Sequence, residues 1–131
     1  MEEADSITAR RLALWERYHA AFEPLERAGR VRRPVIPDGC GHNAHMYYLL
    51  LRDLDDRTSF IQAMKAEGVN CVFHYVPLHS APHGRKVGRM ADDLAVTSDL
   101  ADRLVRLPLW LGLEEYQDRV IEAVTTRLLK H

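Results

Sequence analysis

Met46-Tyr47-Tyr48-Leu49-Leu50-Leu51 is apolar or aromatic at every position, on both alternating faces. Successive strand side chains point to opposite sides, so this run predicts a strand covered on both faces, or covered by a helix on one side and a partner on the other. Upstream, Pro34, Pro37, Asp38-Gly39 and Gly41 interrupt regular structure and predict an extended connection over residues 30–44. Downstream, Asp55 or Asp56 is placed to cap a helix carrying Phe60, Ile61 and Met64, which Gly68 ends. Val69 to Phe73 then predicts a second strand, with Val69, Cys71 and Phe73 on one face.

Farther out, residues 6–28 predict a helix with Asp5 or Ser6 as N-cap. Trp15, Tyr18, Phe22 and Leu25 recur at three- and four-residue steps and form one apolar stripe. Pro24 should kink or end that helix, and Gly29 can close it in the left-handed conformation. The stripe reads as core-facing, with docking on another domain as the alternative. Residues 76–96 read as a long loop, and a loop of that length inside a compact domain is usually functional or mobile. Thr97 or Ser98 is placed to cap a short helix through Leu104, and Arg106-Leu107-Pro108-Leu109 predicts an edge strand, because proline cannot donate to a ladder. Glu114 to Lys130 predicts an amphipathic helix with Tyr116, Val120, Val124 and Leu128 as its stripe, and with charges that suit its dipole. The expected class is α+β (α/β): a small sheet of about three strands packed with helices.

At 131 residues the chain is one domain by length, and it is long enough to bury a real core. With 47% apolar and 28% charged residues its composition is ordinary for a globular protein. A net charge of −1 gives no overall field to recruit nucleic acid or an anionic membrane. No apolar run is long enough to span a bilayer, and the acidic Met1-Glu2-Glu3-Ala4-Asp5 start is unlike a signal peptide, so a cytoplasmic protein is expected. Cys40 and Cys71 read as free thiols, Cys71 as a small core residue.

Candidate chemistry concentrates in Phe73-His74-Tyr75-Val76-Pro77-Leu78-His79-Ser80-Ala81-Pro82. Two prolines stiffen a loop that offers two imidazoles and a phenol at the end of a strand. Ligand recognition suits such a loop, and a connector with solvated histidines is the competing account. His42, His45 and His83 complete the central enrichment in histidine, but no HExxH or His/Cys spacing accompanies them, so a metal site is not expected. Ser80 follows His79 directly, an arrangement that rarely lets a nucleophile and base face one another. Arg85-Lys86-Val87-Gly88-Arg89 could hold a phosphate, with solvated surface as the alternative. Arg30, Arg32 and Arg33 form a second basic cluster with the same alternative. Neither cluster carries the interleaved aromatics of a nucleic-acid surface.

Several segments together resemble the C-terminal part of the sugar-nucleotide aminotransferases of the DegT/DnrJ/EryC1/StrS type. They are Arg10-Arg11-Leu12-Ala13-Leu14-Trp15, Ile36-Pro37-Asp38-Gly39-Cys40, Asn43-Ala44-His45-Met46-Tyr47-Tyr48, Phe73-His74-Tyr75-Val76-Pro77-Leu78-His79 and Leu104-Val105-Arg106-Leu107-Pro108-Leu109. Asp53-Leu54-Asp55-Asp56-Arg57 and the Pro77-to-Pro82 loop carry a closer likeness to the dTDP-4-amino-4,6-dideoxygalactose transaminase branch. The resemblance implies the small C-terminal domain of a fold-type-I, pyridoxal-phosphate-dependent homodimer. It implies amino transfer from glutamate to the C4 ketone of a dTDP-4-keto-6-deoxyhexose, in bacterial surface polysaccharide (lipopolysaccharide, enterobacterial common antigen) synthesis.

Residues 1–29 match the helix joining the family's two domains, and 30–131 match the small domain. His74, Tyr75 and His79 match the loop that approaches the sugar-nucleotide; Asn43 and His45 match the lead-in to the small domain and suit a positioning role; Arg85 is the candidate phosphate contact. The family's large cofactor-binding domain precedes the matched segment. Of the three lysines, Lys65, Lys86 and Lys130, none matches the family's Schiff-base motif. The expectation is therefore no cofactor bound by these residues alone, no transamination by them alone, and an apolar Trp15 stripe left partly uncovered to drive self-association. The alternatives are a free-standing sugar-nucleotide-binding or dimerisation module and, more remotely, a metal-dependent hydrolase using the histidines.

Overall fold

The computed structural model of the protein describes residues 2–130. Its elements are α1 (Glu2–Ala21), α2 (Glu23–Arg27), β1 (Tyr47–Leu50), α3 (Leu54–Ala66), β2 (Val72–Phe73), α4 (Pro82–Val87), α5 (Ala95–Arg103), β3 (Leu104–Leu107), a 3-10 turn (Leu113–Glu115) and α6 (Gln117–Leu129). The strands form one antiparallel sheet in the order β1-β3-β2. Tyr47 pairs with Leu107, Leu50 with Leu104, and Val72 with Arg106. β1 and β2 therefore run parallel to each other, joined across α3, with β3 slotted between them as in a split βαβ unit. This is the α+β arrangement expected from the sequence.

The strand anticipated at an edge is the central one. β3 starts two residues earlier than anticipated, directly out of α5, and Pro108 falls just past it, where its missing N–H deprives no ladder. β2 is only two residues long, and Phe73 is 47% exposed instead of facing the core with Val69 and Cys71. It lies at the sheet's rim, with the Arg57 guanidinium 5.2 Å above its ring. The 76–96 stretch contains α4, so Gly84 to Val87 are helical and not loop.

Three anticipated caps moved. α1 runs through Asp5 and Ser6, helped by Glu3 and Ala4, both good helix formers. Asp53, not Asp55 or Asp56, caps α3: its carboxylate accepts the Asp56 N–H at 2.8 Å. α5 begins after Leu94, whose φ is +50°, and the Asp92 and Asp93 carboxylates accept the Leu94 and Ala95 N–H groups. Thr97 and Ser98 sit inside that helix. Gly29 and Gly68 end their helices at φ +69° and +75°, as their sequence positions suggested.

The Trp15, Tyr18, Phe22 and Leu25 stripe is buried. Tyr47 of β1 meets it, with ring centroids 5.3 Å from Trp15, 5.2 Å from Tyr18 and 6.1 Å from Phe22. α6 and the 3-10 turn before it close the far side: the buried Gln117 amide donates to the Leu14 carbonyl at 2.7 Å, and Arg10 holds Glu114 of the turn. Tyr116, expected in the α6 stripe, is 57% exposed because the helix starts at Gln117, three residues later than anticipated, and Gln117 takes the inward place. The stripe is thus satisfied within the chain, and the expected drive to self-association through it falls away.

Burial in this core has a readable pH consequence. Cys71 is 3% exposed, and burial pushes its thiol from 9.0 up to about 12. Burial also raises the phenols of Tyr18 and Tyr47. Each group holds its proton more tightly folded than unfolded, so the stability it contributes is intact below its unfolded pKa and is lost as pH climbs through the folded value. The expected result is a melting temperature that is flat to about pH 9 and falls steeply above it. A thiol reagent near neutral pH should modify the exposed Cys40 at once and Cys71 only at the unfolding rate. Equal rates at the two thiols would contradict the packing described.

Candidate functional site

The sequence Phe73 to Pro82 leaves β2 at its C-terminal end and is built as a stiff, presented loop. Ser80 and Ala81 N–H groups both donate to the Pro77 carbonyl at 3.0 Å, and the Ser80 hydroxyl donates to it as well. Ser80 is thereby a turn-former, not a nucleophile. Nε2 of His79 lies 3.0 Å from Oγ of Ser98, which pins the loop to α5. Gly84 of α4 packs directly on the Leu78 carbonyl, leaving no room for a side chain: a Cβ there would lie 1.7 Å from that oxygen.

Held this way, the loop turns its apolar groups outward. Tyr75 is 70% exposed and Leu78 85%. The His74 ring meets Tyr75 edge-on at 4.5 Å, and its Nδ1 is buried with no partner among the described residues. Such an exposed aromatic and aliphatic ridge can stack a planar group, and the Tyr75 hydroxyl can donate or accept one hydrogen bond. His79 contributes by anchorage; its partner Ser98 is nineteen residues away and carried no local sequence signal.

The other nominated residues lie elsewhere. The Asn43 side-chain oxygen accepts the His45 N–H at 3.2 Å and lies 2.9 Å from its Nδ1, around Ala44 at φ +49°. Both line a cleft of about 640 Å³ with Trp15, Ile36, Met46 and Tyr48. They precede β1, whereas the His74 loop follows β2, so the two groups stand at opposite ends and opposite edges of the sheet. Strand length and two strand spacings separate them by roughly 15 Å. Arg85 is exposed on α4, beside the loop in sequence but on a helix of its own. The fold therefore gathers His74, Tyr75 and His79 and leaves Asn43 and His45 apart.

Near the latter, His19 stacks on Trp15 at 4.6 Å, and its backbone carbonyl accepts a hydrogen bond from the Arg33 guanidinium. Burial and the Arg33 charge hold the His19 imidazole below its usual range. Burial acts to raise Glu26, but backbone and side-chain hydrogen bonds from Arg33 outweigh it and keep the carboxyl low. This ion pair of Arg33 and Glu26, at 2.7 Å, fastens the connection to α2 and is structural.

Lys65, Lys86 and Lys130 are all exposed. None sits in the dry, acid-partnered pocket that a Schiff-base amine and a pyridinium ring require, so these residues do not by themselves fit pyridoxal phosphate. Among the described residues no group of three or more His, Cys, Asp or Glu side chains converges on a metal position, and no helix is long and apolar enough to cross a membrane.

The three-stranded antiparallel sheet, its helices and the exposed loop define an α+β domain of the aminotransferase type. The description of the DegT/DnrJ/EryC1/StrS aminotransferase family matches residues 1–125, and the chain belongs to that family. Its relatives include an uncharacterized protein of Methanocaldococcus jannaschii, 30% identical over 129 residues, 95% of this chain and 32% of that one. The dTDP-3-amino-3,4,6-trideoxy-alpha-D-glucose transaminase of Micromonospora megalomicea subsp. nigra is 29% identical over 92% of this chain and 32% of its own. The S. venezuelae protein DesV, solved in complex with a ketimine intermediate, superimposes with a TM-score of 0.85 at 25% identity, over 97% of this chain and 33% of its own. The 131 residues thus span about a third of the length of these relatives.

Proposed function

We propose that these residues form the small C-terminal domain of a pyridoxal-phosphate-dependent sugar-nucleotide aminotransferase, with 1–29 as the linking helix and 30–131 as the domain proper. In this reading His74, Tyr75 and His79 present one wall of the substrate site to a dTDP-sugar. The exposed Tyr75 ring is the direct contact, His74 backs it edge-on, and His79 positions the loop through Ser98. Asn43 and His45 shape the lead-in to β1, and Arg85, exposed on α4, is the proposed phosphate contact. The reaction is amino transfer from glutamate to the C4 ketone of a dTDP-4-keto-6-deoxyhexose, serving surface polysaccharide synthesis in the cytoplasm of the producing cell, in a homodimer.

The observation that carries this reading is the match of 125 residues to the family together with a stiff loop whose largest apolar groups face outward. A relative named for a dTDP-amino-sugar product supports the nucleotide. Because the three lysines fit no cofactor pocket, the 131 residues alone are expected neither to transaminate nor to be labelled when reduced with borohydride in pyridoxal phosphate.

Chemical-shift titration with dTDP-4-keto-6-deoxyglucose tests the wall. Amides of residues 74–79 should move, and His79→Ala should weaken the response roughly tenfold, the equivalent of about 1.4 kcal/mol. Undiminished binding by His79→Ala and Tyr75→Ala would reduce the loop to a connector. A 3-keto sugar bound more tightly than the 4-keto sugar would move the reading to the chemistry named in the Micromonospora relative.

A further inference from the structure

A second concave surface, of about 650 Å³, opens between the end of α2, the C-terminal end of β1, α3, α5 and α6. Five arginines from four parts of the chain line it: Arg30, Arg32, Arg52, Arg103 and Arg127. None of the loop residues 74–79 does; the loop leaves the same end of the sheet but at the opposite edge, two strand spacings or about 10 Å away. The size is that of a small-molecule site.

The arginines are not equivalent. Arg52 bonds Asp53 at 2.9 Å and Arg103 bonds Asp99 at 2.8 Å, so these two are already paired. Arg33, the third member of the 30–33 cluster, is consumed by Glu26. Arg30 and Arg32 bond no carboxylate among the described residues. Arg127 donates to the Ser59 hydroxyl at 2.6 Å, and its Nε is buried without a partner. Three arginines with donors to spare therefore line one cleft, and one of those donors has already lost its water. A buried unmet donor is costly unless something fills it.

Their backbones are fixed in advance. Gly29 turns the chain at φ +69°, the Arg30 N–H donates to the Leu25 carbonyl, and Arg32 exchanges both backbone hydrogen bonds with Leu50. The planar forks of arginine match phosphate oxygens bidentately, so a preset trio suits a doubly charged anion better than a single carboxylate. Asp55 and Asp56 of α3 also line the cleft, one turn before the Ser59 that Arg127 holds. Asp56 accepts only a long bond from the Arg52 N–H, at 3.4 Å, and such carboxylates have lone pairs left to accept hydrogen bonds from sugar hydroxyls.

We propose that this cleft is a binding site for a phosphate or pyrophosphate ester of a hydroxyl-bearing small molecule, with the phosphoryl oxygens on Arg30, Arg32 and Arg127 and the hydroxyls toward Asp55 and Asp56. It is separate from the loop wall of the proposed substrate site and does not depend on that assignment.

Calorimetric titration of the full chain with inorganic pyrophosphate tests it. Saturable binding is expected, weakening as salt is raised. The double variant Arg30→Gln/Arg32→Gln removes two exposed side chains without folding partners and should weaken binding roughly tenfold or more, as the loss of charge-assisted bonds implies. Lys86→Gln, in the other basic run, should leave it unchanged. In the wild type, pyrophosphate should also shield Arg30 and Arg32 from phenylglyoxal, a readout that needs no variant. No binding, equal binding by the double variant, loss of binding in Lys86→Gln, or no shielding would each overturn the assignment.

Discussion

Tyr47→Ala is expected to remove about 4 kcal/mol of stability, the range for truncating a large buried aromatic. Tyr47 is 0% exposed and stands where the first helix meets the sheet. Its ring touches Trp15, Tyr18 and Phe22 at once, at centroid distances of 5.2 to 6.1 Å, so truncation opens a cavity bordered by rigid rings that cannot collapse into it. Domains of this kind have only about 5–15 kcal/mol in total, so the loss should lower the melting temperature by roughly 10–20 °C. A urea titration should show a lower midpoint with an unchanged slope. Tyr47→Phe separates packing from polarity: the hydroxyl reaches Nδ1 of His19 only at 3.4 Å, and its removal should cost less than about 1 kcal/mol. A Tyr47→Ala protein within about 1 kcal/mol of wild type would mean that α1 does not share this core.

Gly84→Ala should disorder the candidate site while sparing the core. The added Cβ would stand 1.7 Å from the Leu78 carbonyl oxygen and 2.8 Å from its carbon. Both are backbone atoms, so no rotamer relieves the contact, and α4 must move off the loop. Overpacking of this kind costs about 1–3 kcal/mol, and here it is confined to residues 76–88 because α4 contributes no buried side chain. Hydrogen exchange should accelerate at the Ser80 and Ala81 amides, which donate to Pro77, while β1 and β3 stay protected. The His79 to Ser98 contact should be lost with it, and any response of the loop to a dTDP-sugar should fall at least as far as in His79→Ala. Unchanged exchange in the loop would show that α4 does not hold it.

Much of the local architecture could be read from residue spacing. The Trp15-Tyr18-Phe22-Leu25 period, the left-handed glycines at 29 and 68 and the short strand around Tyr47 each depend on neighbours a few positions apart. The stiffness of the His74-to-Pro82 loop is equally local, since prolines constrain their own torsions wherever the chain goes. Helix starts were less legible, because Asp53, Asp55 and Asp56 can all cap and only the path of the preceding strand selects Asp53.

Residue types and their order thus sufficed to set an α+β class with a stiff, ligand-suited loop, because helix period, strand alternation and proline torsions are short-range properties. Three matters were settled only by the folded chain: β3 taking the central place, the separation of Asn43 and His45 from His74, and the union of Arg30 and Arg32 with Arg127. Each joins segments dozens of residues apart, and the pairing of strands and helices that brings them together is chosen by burial of the whole core, which no local window contains.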